Sequence, residues 1–145
     1  MVSLSEIRAS NAMAASLLPN NLVAVFVGAT SGIGEATLKK FAEYLGRNNN
    51  SNSNPRVYFI GRSQEAGTRI EAECQALNPS GRYTFIKADV SLIRVVDEVC
   101  EEIKKTEGYV NLLFLTCGVL SLDRSSEFKL YLSVWFVLDR ISVAE

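Results

Sequence analysis

Histidine is missing altogether from the 145 residues. Without an imidazole there is no Ser-His-Asp or Cys-His arrangement, which excludes nucleophilic hydrolysis of that kind. Cysteine is scarce: Cys74, Cys100 and Cys117 stand far apart, odd in number and without a Cys-x-x-Cys spacing. Such a set supports neither a zinc site nor a disulfide framework, and it fits a reduced, cytoplasmic setting. An excess of either charge is lacking too. Fifteen basic and sixteen acidic residues give a formal net charge of -1 and are scattered rather than blocked. This leaves no electrostatic footprint for nucleic acid or for an anionic membrane. Long apolar runs are also missing: the apolar tail is short and interrupted, whereas a membrane span needs ~20 apolar residues. The first twenty residues lack the basic start and continuous apolar region of a secretory signal.

What is present is the material of one soluble domain, 48% hydrophobic and 21% charged, in a chain too short for two sizeable cores. Residues 1–21 read as a helical lead-in. Ser3-Leu4-Ser5-Glu6 opens it as a capping box and Pro19-Asn20 ends it. Leu22 to Gly28 is a valine-rich apolar run, the mark of a strand buried on both faces. After Ala29-Thr30-Ser31-Gly32-Ile33-Gly34 comes a helical pattern with Ile33, Phe41 and Leu45 on one face, ended by Gly46 and a polar, flexible insertion at 48–54. Pro55 opens a second strand, Arg56 to Ile60, and Ser63 caps a helix whose inner face uses Ala66, Ile70, Cys74 and Leu77. Asn78-Pro79-Ser80-Gly81 is a turn. A third strand runs from Tyr83 to Ala88, and Ser91 caps a helix striped by Leu92, Val96, Val99 and Ile103. Gly108 stops that helix before a fourth strand, Val110 to Leu115.

Short apolar strands alternating with amphipathic helices predict an α/β fold. Its expected form is a doubly wound parallel sheet of the Rossmann type, first half only, over residues 22–122 with a divergent apolar tail at 123–145. Such sheets bind ligands at the carboxyl ends of their strands, where the strand order reverses. The unusual residues of this chain fall at those ends.

Gly28, Gly32 and Gly34 leave the first turn without side chains, so a diphosphate can approach the helix amides and the positive end of the helix dipole. Thr30 and Ser31 add hydroxyl donors, and Ile33 lies between the last two glycines. No Gly-Lys-Ser/Thr follows, so this is not a P-loop. The second strand ends Ile60-Gly61-Arg62 with no acid before Glu65. A carboxylate there would favour NAD through the ribose 2′-hydroxyl, and an arginine favours NADP through the 2′-phosphate. Arg62 therefore predicts NADP over NAD. Asp89 is placed to accept from the adenine amino group, with Val90 against the ring. A helix-start aspartate is the competing reading.

The run Val27-Gly28-Ala29-Thr30-Ser31-Gly32-Ile33-Gly34 resembles the Thr-Gly-x-x-x-Gly-x-Gly motif of the short-chain dehydrogenases/reductases, with Val27 in place of the threonine. Asp89-Val90 looks like that family's adenine-contacting pair. Thr116-Cys117-Gly118 stands where its Asn-Ala-Gly would be, and only Gly118 of the triplet survives, leaving the asparagine's bracing role in question. The extended N-terminus and the Leu-Leu-Phe-Leu-Thr-Cys-Gly-Val-Leu wording resemble fungal members of secondary-metabolite pathways. The resemblance implies NADP(H)-dependent hydride transfer to a small carbonyl or from an alcohol. In the family a tyrosine, assisted by a lysine four residues on and by a serine, handles the proton.

That catalytic group is expected to be absent, with no Tyr-x-x-x-Lys spacing in the chain. Tyr131 is followed four positions later by Trp135, Tyr58, Tyr83 and Tyr109 lie in or beside strands, and the family's elements would begin beyond Glu145 in a C-terminally truncated chain. A non-catalytic nucleotide-binding module or an inactive relic is the alternative function. The fourth strand is expected to expose an apolar edge that invites self-association unless the tail covers it.

Overall fold

The computed structural model describes residues 2–47, 54–117 and 135–142. In chain order the elements are α1 (Leu4–Leu17), β1 (Val23–Val27), α2 (Gly32–Arg47), β2 (Arg56–Gly61), α3 (Gln64–Leu77), β3 (Arg82–Lys87), α4 (Ile93–Lys104), β4 (Tyr109–Leu115) and β5 (Trp135–Ser142). One sheet has the order β3-β2-β1-β4-β5. Its first four strands are parallel, and β5 runs antiparallel to β4.

Strand side chains alternate between faces, and each face has its own core. On one, Ala24, Phe26, Val57, Phe59, Leu112 and Phe114 meet Leu38 and Ala42 of α2 and Ile70 and Cys74 of α3. Phe26 anchors that layer, its ring 5.4 Å from both Phe41 and Phe114. On the other face, Val23, Val25, Tyr58, Ile60 and Val110 meet Ile103 of α4, with Val95 and Val99 partly buried beside them. The chain thus winds outward from β1 to β3 through α2 and α3, then returns by α4 on the opposite face to set β4 beside β1. The carboxyl ends of β1 and β4 flank the point where the winding reverses.

Several local expectations are corrected. Gly46 does not end α2, which continues to Arg47. A side chain there would strike the Leu77 carbonyl, so the glycine lets α2 close on α3. Leu77 itself is exposed, and Gly67 takes the inner position because the Phe85 ring fills the space beside it. Ile33 is exposed too; the buried stripe of α2 is Gly34, Leu38 and Ala42. Ser63 does cap α3, accepting from the Ala66 amide at 3.2 Å. Ser91 caps nothing: its amide donates to Asp89 Oδ1 at 3.1 Å, and α4 begins after Leu92 without a side-chain cap.

The outer edge of β4 is filled. β5 pairs along it from Tyr109↔Ser142 to Leu115↔Trp135, with an irregularity between Val110 and Leu112. The open apolar edge on which expected self-association rested is therefore satisfied by the tail's own backbone. At the amino ends of the strands a buried carboxylate closes the sheet. Glu107 is 4% exposed, and it accepts from Arg56 Nε and Nη2 at 2.7 and 2.8 Å and from the Tyr58 hydroxyl at 2.7 Å. The capping box of α1 is formed, the Ser3 amide donating to Glu6 at 2.7 Å and the Glu6 amide to Ser3 Oγ at 3.2 Å. The insertion at 48–53 lies outside the described residues; Asn54, at its end, donates its amide to the Asn20 carbonyl at 3.1 Å.

Candidate nucleotide-binding site

β1 gives way to α2 through a turn that only glycine allows at two points. Gly28 has φ +83° and Gly32 φ +58°, both in the left-handed region that side chains disfavour. The turn is tied to β2, because the Gly28 and Ala29 amides both donate to the Ile60 carbonyl, at 3.0 and 3.2 Å. It is tied to β4 as well. The Thr116 amide donates to Val27 O at 2.9 Å, and its hydroxyl lies 3.0 Å from Val27 O and 3.2 Å from Gly28 O. Thr116 thus braces β4 against the turn, which answers the question raised by its replacement of asparagine. Gly34 has no unusual φ, but a Cβ there would overlap Gly28 O and approach Thr116 Oγ1 to 2.6 Å. It is glycine so that the helix can start hard against the turn.

The Glu35 amide donates to the Ser31 carbonyl at 3.3 Å. Ahead of it, the amides of the first turn have no intrahelical carbonyl to reach and carry the positive end of the dipole. They border a cleft of about 440 Å³. Nine residues singled out from the sequence line it: Gly28, Thr30, Ser31, Gly32, Ile33 and Gly34 from the turn, Arg62 after β2, and Asp89 and Val90 after β3. Gly118 lies outside the described residues. Ile60, Gly61, Ala88, Ser91, Thr116 and Cys117 complete the lining. Ile60, Gly61 and Ala88 are strand-end residues carried in by their neighbours, and Ser91 enters through its bond to Asp89.

The charges in the cleft are few. Arg62 is its only cation among the described residues. The other basic residues near the start of α2 are spent elsewhere: Lys39 pairs with Glu35 at 2.6 Å and with Glu73, and Arg69 pairs with both acids at 2.9 Å. Asp89 is held below the usual carboxylate range, first by hydrogen bonds from Ser91 and then by the charge of Arg62. It is an anion at neutral pH and can act only as an acceptor. Among the described residues no cluster of His, Cys, Asp and Glu could hold a metal ion. The arrangement fits a dinucleotide: bare amides for a diphosphate, a guanidinium for a further phosphate, and a carboxylate beside Val90 for an amino-bearing ring.

One expectation about catalytic spacing needs correction. Tyr-x-x-x-Lys does occur, at Tyr83 and Lys87, but both residues belong to β3. Four residues along a strand separate two side chains by about 13 Å, whereas on a helix they would be neighbours. Tyr83 is 3% exposed and accepts from the Asn78 amide at 3.2 Å, and burial pushes its hydroxyl up to about 12. A phenol held that high is a poor acid/base at neutral pH. The pair serves the sheet.

The profile of the short chain dehydrogenases matches residues 22–134. The chain is 43% identical over 127 residues to "Oxidoreductase AN1596" of Emericella nidulans, covering 88% of this chain and 35% of that protein. It spans about a third of the length of the curated relatives it matches. Among solved structures, L-sorbose reductase from Gluconobacter frateurii, complexed with NADPH and L-sorbose, superposes with a TM-score of 0.56 at 20% identity, over 74% of this chain and 38% of that one. An NADH-dependent reductase, A1-R′, complexed with NAD, gives 0.56 at 18% identity, over 73% and 39%. At these identities the structures speak for the fold.

Proposed function

The chain belongs to the short-chain dehydrogenase family, and from that premise we propose that it holds NADP, in preference to NAD, for hydride transfer between a small carbonyl compound and its alcohol. The observation that carries this reading is the cleft itself, which the glycine-rich first turn of α2 and Arg62 line together. The amides of Gly32 to Gly34 take the diphosphate, and Thr30 and Ser31 add hydroxyl donors. Arg62 takes the 2′-phosphate, and Asp89 accepts from the adenine amino group while Val90 lies against the ring. When bound, the nicotinamide supplies or accepts the hydride. The Leu-Leu-Phe-Leu-Thr-Cys-Gly-Val-Leu run, which resembles fungal members of secondary-metabolite pathways, supports a setting in secondary metabolism, with which the fungal oxidoreductase relatives are consistent. The three free cysteines support a reducing cytoplasm.

A second reading, nucleotide binding without turnover by this chain alone, is favoured by a specific observation: among the described residues no tyrosine has a lysine four positions on along a helix. The test is a fluorescence titration with NADPH and NADH, followed by a carbonyl-reduction assay. Binding with turnover supports the first reading and binding alone the second. Hydrogen bonds to a charged group contribute about 1.5–3 kcal/mol, so Arg62→Asp is expected to weaken NADPH binding roughly 10- to 100-fold and to spare or improve NADH binding. An unchanged ratio between the two nucleotides would show that Arg62 does not set the preference.

A further inference from the structure

We propose that Thr30 is a determinant of nucleotide choice alongside Arg62, because its side chain occupies the space that any side chain at position 61 would need. The inference rests on the nucleotide reading of the cleft and deepens it. Gly61 is the last residue of β2 and borders the cleft. Gly61 is not among the glycines of positive φ, which are Gly28 and Gly32, so its backbone does not itself call for glycine. Glycine stands there for space alone. A Cβ on residue 61 would run into Thr30 Cγ2 and Oγ1 and come within 2.9 Å of Thr30 Cβ. Rotating the threonine to another staggered position frees at most one of the two γ contacts, keeps a γ atom against position 61 and leaves its Cβ where it is.

Neither partner is free to retreat. Gly61 is paired with Lys87, and its carbonyl accepts from the Ala88 amide at 3.0 Å. The turn carrying Thr30 is held by Ile60 O on one side and by Thr116 on the other. The end of the second strand is where a dinucleotide site places the carboxylate that reads a free ribose 2′-hydroxyl. In this chain that place is closed to a carboxylate. Arg62, one residue on, is left to read the ribose. Nucleotide preference is thus set by a steric exclusion at 30 and 61 as well as by an attraction at 62, the repulsive half of specificity.

The experiment uses the full chain with Gly61→Asp, Thr30→Gly and the double variant, titrated with NADPH and NADH by fluorescence and melted in parallel. Gly61→Asp alone is expected to lower the melting midpoint and to weaken both nucleotides roughly tenfold or more. Adding Thr30→Gly is expected to restore the midpoint and to give NADH binding roughly tenfold tighter than the single variant. If Gly61→Asp alone binds NADH as tightly as the double variant does, the proposal is overturned. A nucleotide-free readout isolates the contact. Gly61→Ala should lower the midpoint in the native background and leave it unchanged beside Thr30→Gly, and equal drops in both overturn the exclusion. If the native chain binds neither nucleotide, the nucleotide reading fails and the specificity claim with it, while the melting cycle still decides whether Thr30 excludes a side chain at 61.

Discussion

Replacing Gly34 by alanine adds one methyl group at the point where α2 meets the turn. The new Cβ would overlap Gly28 O, lie 2.6 Å from Thr116 Oγ1 and lie 2.9 Å from the Gly28 carbonyl carbon. Two of these atoms are main chain, in a turn already tied to Ile60 O and to Thr116, so the helix must give way. Ordinary contact lies near 3.5 Å, which requires a shift of roughly 1 Å. Two effects on stability oppose each other. Alanine gains about 1 kcal/mol of helix propensity over glycine, and overpacking costs about 1–3 kcal/mol. The net loss is about 0–2 kcal/mol, a fall of at most several degrees in melting temperature for a chain of this size. Nucleotide binding should suffer more. A first-turn amide moved by roughly 1 Å loses a hydrogen bond to a charged phosphate that is worth about 1.5–3 kcal/mol, or roughly 10- to 100-fold in affinity. Thermal melting and NADPH fluorescence titration of the same preparation separate the two effects. An alanine variant that is folded and binds NADPH within twofold of the native chain would refute the placement of the diphosphate on this turn.

Thr116→Val keeps the shape of the side chain and removes the hydroxyl shared by Val27 O and Gly28 O. It should cost about 1 kcal/mol and speed hydrogen exchange at Gly28 to Gly32, whereas Thr116→Ser should do neither; identical exchange in the two variants would show that the hydroxyl braces nothing. Glu107→Ala strands the Arg56 guanidinium and the buried Tyr58 hydroxyl. Because Arg56 is 28% exposed and can turn to water, the expected loss is about 2–4 kcal/mol rather than the full cost of a broken buried pair, read as a shifted urea midpoint; a loss under about 1 kcal/mol would mean the triad is not held as described. Tyr58 and Tyr83 are both pushed from 10.0 up to about 12, chiefly by burial, with the Glu107 carboxylate adding to the effect at Tyr58. A raised acid favours the neutral form in the fold, so this stability is complete below pH 10 and is lost as pH rises from 10 to 12, by up to about 2–3 kcal/mol per tyrosine. Denaturation midpoints at pH 8 and pH 11 test it, and Tyr83→Phe should flatten part of the slope.

The features readable in the sequence were those written in neighbouring residues. Alternating apolar strands and amphipathic helices give the winding, and the spacing of Gly28, Gly32 and Gly34 gives the turn, because each pattern repeats within one or two turns of chain. The features missed depend on a residue far away or on competition for one group. Gly46 looks like a helix stop until Leu77 is seen against it. Glu107 looks like a loop acid until Arg56, 51 positions earlier, is found on it. Ser91 has the right side chain for a cap, but its amide is already held by Asp89, and a residue drawn into that turn is displaced from the N-cap position. Whether the tail covers β4 stayed open in the sequence, because the cover is a pairing with residues some twenty positions beyond the strand, which no local periodicity reports.

The candidate site divides along the same line. Glycine spacing says where side chains are missing, and Arg62 and Asp89 say which charges stand at the strand ends, but none of these says why the turn keeps its shape. The structure locates that reason on either side of the turn, at Ile60 O and at Thr116. The two supports are unequal in kind. The bonds to Ile60 O and the Thr116 amide bond to Val27 O are main chain, and any residue but proline at 116 would keep the latter. The Thr116 hydroxyl has one proton for two carbonyls, so its removal costs at most one hydrogen bond. That inequality explains how threonine can stand where the family pattern has asparagine. It also explains why alanine at 34, which pushes on the main chain itself, should damage the site more than valine at 116, which only lets go of it.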